Sequence, residues 1–176
     1  MTRFINQLML RDIQLFIFIY NRLRNRVFNR FMLYITKLGG AVFSISVSFS
    51  FIFLFQGTFN KIGRELLLIL SVSHLFVHVI KRKVNRSRPY TIIENIELLV
   101  VPIEEYSFPS GHSTACFTMA MTLSFYFPGL SLVYYFLATL VGFSRVYLGV
   151  HFPADVIIGA LIGIGFAFYI HLWFFL

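Results

Sequence analysis

A chain of 176 residues has room for one domain, and 58% hydrophobic residues, 23 phenylalanines and a mean hydropathy of +0.79 exceed what a soluble fold of that size buries. The expected fold class is therefore all-α, a multi-pass membrane helix bundle. The net charge of +8 would suggest nucleic acid in a soluble protein. Here the basic residues gather near the N-terminus and from Lys81 to Arg88, with no aromatic platform between them, so the pattern argues for anionic headgroups and phosphate and against nucleic acid. The single cysteine, Cys116, excludes an internal disulfide and sits in a packing position.

Residues 1–30 alternate between apolar and basic. Phe16, Tyr20, Leu23, Val27 and Phe31 recur at helical spacing while Arg22, Arg24, Arg26 and Arg30 take other faces, which predicts an amphipathic helix lying in the membrane interface. The apolar run from Leu15 to Tyr20 is too short, and too closely followed by arginines, for a cleaved signal peptide. Residues 31–176 form the transmembrane domain. A first span is expected from Phe31 to Phe55, then a polar connection from Gln56 to Glu65, and a second span from Leu66 to Ile80 that delivers Lys81 to the membrane surface. Serines at 44, 46, 48 and 50 alternate as in a barrel strand, but the length of the uncharged run favours a helix.

The stretch from Pro89 to Phe108 carries Glu94, Glu97, Glu104 and Glu105 and reads as the long loop. A third helix starts at Pro109-Ser110-Gly111-His112 and ends at Phe127, a fourth runs from Ser131 to Tyr147, and a fifth from Phe152 to Leu176. About five spans result. This topology brings three polar clusters to one face: Lys81 with Arg88-Pro89, then Pro109-Ser110-Gly111-His112, then Ser144-Arg145 with His151 and Asp155.

Each cluster has a bland reading and a chemical one. Lys81 and Arg88 are close to two helical turns apart and can project from one side of a helix end stopped by Pro89; alone, such a pair is more often a topological anchor. Ser110 and Gly111 open a helix whose first-turn amides, with an outward-facing hydroxyl, suit an anion, and His112 beside them can serve as a general acid. An ordinary N-cap is an equal reading of that tetrapeptide in isolation. His151 and Asp155, four apart, share a helix face, so that the carboxylate can accept a proton from one ring nitrogen and leave the other free to attack. Arg145 adds a third cation. His74 and His78 have a spacing that could bind metal, but no third ligand is near in sequence, and hydrogen bonding within the bundle is the preferred reading; no metal or cofactor is expected. Gly159, Gly163 and Gly165 are expected to serve packing within the bundle.

Lys, six residues, Arg-Pro; then Pro-Ser-Gly-His; then Ser-Arg, five residues, His, three residues, Asp: all eleven positions resemble the three-part signature of the type 2 phosphatidic acid phosphatase family, whose core is related to vanadium haloperoxidases. The resemblance covers roughly residues 31 to 175. It implies a metal-independent phosphatase in which His151 is transiently phosphorylated, Asp155 orients it, and His112 protonates the leaving group and then activates water. It implies further that Lys81, Arg88, Ser110, Gly111 and Arg145 bind the phosphate oxygens. Many members carry six spans, where this chain offers an interfacial helix in place of the first. The expected substrate is a lipid phosphate within the bilayer: a polyprenyl diphosphate such as undecaprenyl diphosphate, phosphatidylglycerol phosphate or phosphatidic acid. The alternatives are a lipid A 1-phosphatase-type activity, a haloperoxidase using bound vanadate, or a non-catalytic lipid-phosphate-binding protein. A count of Lys and Arg places the motif face in the cytoplasm, whereas the resemblance implies an extracytoplasmic site in the cell membrane, which is the expectation retained.

Overall fold

Helices account for all the regular structure of residues 2–175, the part of the chain that the computed structural model describes. In chain order they are α1 (Thr2–Leu23), α2 (Arg26–Ile35), α3 (Ala41–Leu54), α4 (Thr58–Val84), α5 (Pro89–Ile92), α6 (Gly111–Tyr126), α7 (Ser131–Tyr147) and α8 (Pro153–Phe174), with 3-10 turns at Thr36–Gly39 and Pro128–Leu130.

The bundle is organised around α6. Ser113, Thr114, Ala115, Cys116, Thr118, Met119, Ala120 and Thr122 are all buried, so this helix is enclosed on most of its circumference by α4, α7 and α8. Small residues make the enclosure possible. A Cβ at Gly159 of α8 would lie 2.5 Å from the Ser110 carbonyl oxygen, and Gly163 meets the Thr114 backbone in the same way, so these two glycines set the α6–α8 approach. Gly165 meets nothing within 4 Å and has no such role.

Three segments are long and apolar enough to cross a membrane: Thr58–Ile92, Pro128–Tyr147 and Pro153–Phe174. A fourth arises if Arg26–Gly39 and Ala41–Leu54, bent by 49°, count as one. The remaining expected span, α6, has 16 residues. At 1.5 Å per residue that is about 24 Å, short of a hydrocarbon core of about 30 Å.

Three expectations along the chain need correcting. The span from Phe31 to Phe55 is broken at Thr36–Gly40, where Gly39 fits against Val141 and the His112 carbonyl oxygen, 2.7 and 2.9 Å from where a Cβ would stand. The connection from Gln56 to Glu65 is mostly helix, because α4 begins at Thr58, and Glu65 is fully buried. The N-terminal segment is two helices: Asn25 caps α2 through Val27 and Phe28 amides at 3.1 and 3.0 Å. That break divides the apolar stripe. Phe16 and Tyr20 are buried against Val146 and Phe152, whereas Leu23, Val27 and Phe31 are exposed.

Candidate active site

The first cluster forms where α4 ends. Asn85 adopts the left-handed conformation at φ 50° and donates its N–H to the Lys81 carbonyl at 3.0 Å, which stops the helix. Arg88, held extended by the proline that follows, caps the short α5, so it reaches the site from a loop and not from the helix end. Both side chains are buried. Lys81 Nζ donates to the Tyr106 carbonyl at 3.0 Å and pairs with Glu104 Oε2 at 2.9 Å. Arg88 Nε donates to the carbonyls of Glu104 and Glu105 at 2.9 and 3.1 Å. Its Nη1 donates to the Val150 carbonyl at 2.9 Å and lies 3.4 Å from His151 Nε2. The acidic loop therefore folds onto two of the three cations expected to bind phosphate.

In the second cluster the hydroxyl of Ser110 does not face outward. It is buried and caps α6, accepting from the Ser113 hydroxyl at 2.9 Å and the Ser113 amide at 3.4 Å, so the N-cap reading describes this oxygen. The Ser110 amide donates to the Asp155 carbonyl at 2.9 Å and locks the second cluster to the third. His112 sits in the first turn of α6 against the Gly39–Gly40 break, its Nε2 3.9 Å from where a Gly40 Cβ would stand. Arg145, His151 and Lys81 all lie within electrostatic reach of it. His74 is closer to this cluster than its sequence position suggests: its Nδ1 bonds the Leu70 carbonyl at 2.9 Å, within its own helix, and its Nε2 lies beside Gly111. His78 is exposed. Among the described residues no three His, Cys, Asp or Glu side chains gather as a metal site.

In the third cluster Arg145 ends α7, buried, with Nη1 donating to Thr36 Oγ1 at 2.6 Å and Nε without a partner. Ser144 spends its hydroxyl on the Val141 carbonyl at 2.6 Å. Asp155 is the third residue of α8. Its Oδ2 accepts from the Phe152 amide at 2.9 Å and its Oδ1 from Arg86 Nη1 at 2.6 Å. His151 Nδ1 stands 3.5 Å from Asp155 Oδ2 and makes no hydrogen bond, so the expected bond between the pair is replaced by an approach that needs only a small closure. Complete burial holds the His151 imidazole well below its ordinary pKa, and the cations of Arg145, Arg88 and Lys81 add to the effect. Such an environment favours the neutral ring, the form in which one nitrogen carries a lone pair.

The structure brings Lys81, Arg88, Ser110, Gly111, His112, Arg145, His151 and Asp155 together at one end of the bundle. Sequence reasoning missed Thr36, Arg86 and Asp12. Thr36 gave no signal. Arg86 lay within a basic run read as headgroup contacts, and Asp12 is the lone acid before Glu65 in an otherwise basic segment. Chemically the arrangement offers three cations for a tetrahedral anion, a neutral imidazole whose Nε2 faces one of them, and a second imidazole nearby.

A sequence profile described as the PAP2 superfamily matches residues 63–176. An undecaprenyl-diphosphatase of Sulfolobus acidocaldarius is 34% identical over 136 residues, covering 77% of this chain and 65% of that protein, so the chain spans just under two thirds of that relative's length. The crystal structure of Aquifex aeolicus LpxE superposes with a TM-score of 0.79 at 32% identity, over 89% of this chain and 92% of that one. A transmembrane PAP2 type phosphatidylglycerolphosphate phosphatase from Bacillus subtilis gives a TM-score of 0.77 at 30% identity, over 96% of this chain and 86% of that one.

Proposed function

The chain belongs to the PAP2 superfamily, and from that membership we propose that it is a membrane lipid phosphatase that hydrolyses a phosphate monoester or diphosphate through a phosphohistidine on His151. The observation that carries the reading is the facing of His151 Nε2 by Arg88 Nη1 at 3.4 Å, with the Asp155 carboxylate behind the opposite ring nitrogen. A phosphoryl group held by Arg88, Lys81 and Arg145 is presented to Nε2, the nitrogen that carries the lone pair because Arg88 can only donate to it. Gly111 adds a backbone amide at the start of α6, while the Ser110 amide and hydroxyl are taken up by the Asp155 carbonyl and by Ser113.

In the first step a bond forms from His151 Nε2 to phosphorus as the bond from phosphorus to the lipid oxygen breaks, and His112, which has taken up a proton as the phosphate dianion binds beside it, gives that proton to the departing oxygen. In the second, water attacks phosphorus, His112 takes the proton of the water, and the N–P bond breaks to release inorganic phosphate. The three cations carry the charge that grows on the equatorial oxygens, so no divalent ion is required.

A lipid substrate is supported by the apolar flank of the bundle, where a groove of about 330 Å³ between α7 and α8 is lined by Ile19, Val146, Pro153 and Val156 among others and includes the first residue of the helix that carries Asp155. It suits hydrocarbon, and the described residues include no soluble domain for a large polar head, which favours prenyl or glycerophospholipid phosphates. Among the relatives, one is named for undecaprenyl diphosphate and another for phosphatidylglycerolphosphate, while two others are lipid A 1-phosphatases. In this reading residues 1–30 lie in the membrane interface and the site opens on the extracytoplasmic face of the cell membrane.

Phosphate release from detergent-solubilised undecaprenyl diphosphate, phosphatidylglycerol phosphate, phosphatidic acid and lipid A tests the proposal. Hydrolysis of at least one of them, unaffected by EDTA and blocked by vanadate, is expected. Loss of activity in EDTA with recovery in magnesium would overturn the mechanism.

A further inference from the structure

Between α1 and the catalytic histidine runs a chain of charges that phosphate binding does not use. Asp12 of α1 accepts from Arg86 Nη2 through Oδ2 at 2.7 Å, and through Oδ1 it accepts from the Ala154 amide in the first turn of α8 at 2.9 Å. The other terminal nitrogen of Arg86 donates to Asp155 Oδ1 at 2.6 Å. The guanidinium also lies over the Phe152 ring, 4.3 Å from its centroid. We propose that Asp12 and Arg86 are positioning residues for the phosphoryl-accepting histidine: they hold Asp155 ionised and turned so that His151 carries its proton on Nδ1 and offers the Nε2 lone pair to phosphorus. The proposal rests on the phosphohistidine reading above.

The Asp155 carboxylate has no exposed surface. A buried carboxylate keeps its charge only with a partner that faces it. The groups around it are the Phe152 amide, the Ser107 hydroxyl, His151, Arg86 and, further away, Lys81 and Arg88. Lys81 and Arg88 are turned to the 104–106 loop and the side of His151 where phosphate would bind, which leaves Arg86 as the cation in contact. A protonated Asp155 would donate to His151 Nδ1, send the ring proton to Nε2 and remove the attacking lone pair.

Arg86 in turn needs a fixed plane. Its two terminal nitrogens serve two different carboxylates, and the Phe152 ring supports its face, so Asp12 determines which way the fork points. Asp12 also holds the first turn of the helix that carries Asp155. It lies outside residues 63–176, so the N-terminal helix contributes to the catalytic end of a domain whose recognisable motifs all lie further along.

The test compares the full-length wild type with Arg86→Gln, Arg86→Lys, Asp12→Asn and, as control, His151→Ala. Phosphate release from farnesyl diphosphate and phosphatidic acid in detergent is measured against pH, together with acid-labile phosphoenzyme. Arg86→Gln is expected to lose roughly tenfold or more in kcat near pH 6 with KM little changed, and to recover as the pH rises and Asp155 ionises unaided, its acid limb displaced upward by about 1–3 pH units. Arg86→Lys keeps the charge and loses the fork, so its kcat falls while its acid limb stays near that of the wild type. Asp12→Asn is expected to lower kcat about threefold to tenfold and to slow labelling, again with KM little changed.

A purely structural clamp would lower the yield of folded protein without moving the acid limb, so a wild-type profile for folded Arg86→Gln overturns the proposal. Should that variant fail to fold, Asp12→Asn decides the matter, because it leaves the Arg86–Asp155 bond in place: wild-type kcat and labelling rate overturn the proposal. The underlying reading fails separately. If the wild type shows no phosphoenzyme, or His151→Ala shows as much, the phosphohistidine and this relay both fall, whatever the profile of Arg86→Gln.

Discussion

The bundle buries a polar cluster at each end, and the two are built differently. At the end where α4 begins and α6 and α8 finish, Glu65 is fully buried, accepts from Tyr126 Oη at 2.6 Å through Oε2, and bonds His171 Nδ1 at 2.7 Å through Oε1. His171 stacks on Phe125 with ring centroids 3.9 Å apart. Both carboxylate oxygens are used, and α4, α6 and α8 are tied together. At the opposite end Lys81, Arg88 and Arg145 gather with two histidines, Arg145 Nε and His151 Nδ1 have no partner, and Lys81 and Arg88 are held in part by a loop. A cluster that satisfies itself acts as a lock; one with excess positive charge and unmet donors is prepared for an anion.

The largest expected effects come from the under-satisfied end. Arg88→Ala or Arg145→Ala should lower kcat/KM by roughly a hundredfold or more, with both kcat and KM affected, because a cation that meets the growing charge acts most strongly on the transition state. The unfolding temperature should change little for Arg145→Ala and fall for Arg88→Ala, which strands the Glu104, Glu105 and Val150 carbonyls. Kinetics beside thermal melts check it. The far end should give the mirror image. Glu65→Ala strands Tyr126 and His171 and should cost about 1–3 kcal/mol of stability while kcat/KM of the folded protein stays within about twofold. If Glu65→Ala abolished turnover without lowering the melting temperature, the division between lock and site would be wrong.

The legible part of the molecule is the part fixed by short-range pattern. Proline and glycine punctuation placed α7 and the start of α6 correctly, and the local spacings of the three clusters picked out the residues that the fold brings together. What escaped depends on partners far along the chain. Asp12 and Arg86 are 74 residues apart, and Thr36 and Arg145 are 109 apart, so no periodicity links them. Glu65 read as part of a polar connection because a carboxylate inside a membrane helix is costly, and only Tyr126 and His171, contributed by two other helices, remove that cost. The hydroxyl of Ser110 had two local uses, cap or ligand, and the Ser113 contacts decided for the cap.

Two further substitutions should have smaller effects. His74 already bonds its own helix, so His74→Ala should change kcat only a few-fold although its ring lies beside Gly111. A loss matching that of the arginine variants would give His74 a place in the site. Glu104, half-exposed and paired with Lys81, competes for the cation that phosphate needs; Glu104→Gln should strengthen inhibition by inorganic phosphate or vanadate about twofold to fivefold. The depressed His151 pKa sets a sign for pH. A group with a lowered pKa is neutral above that value, so in the free protein the ring should remain unprotonated at about pH 6, below the ordinary midpoint of a histidine. Imidazole nitrogen NMR shifts of labelled protein read this directly, and an imidazolium signal from His151 at that pH would contradict it.

The proposed cycle puts the phosphoryl group on His151 and the proton transfers on His112. Rapid acid-quench labelling of His112→Ala and His151→Ala with a radiolabelled lipid phosphate analogue whose leaving group needs no protonation separates the two roles. Acid-labile phosphohistidine should accumulate on His112→Ala, which can be attacked but cannot activate water, and none should form on His151→Ala. Equal labelling of the two variants would mean that another residue receives the phosphoryl group.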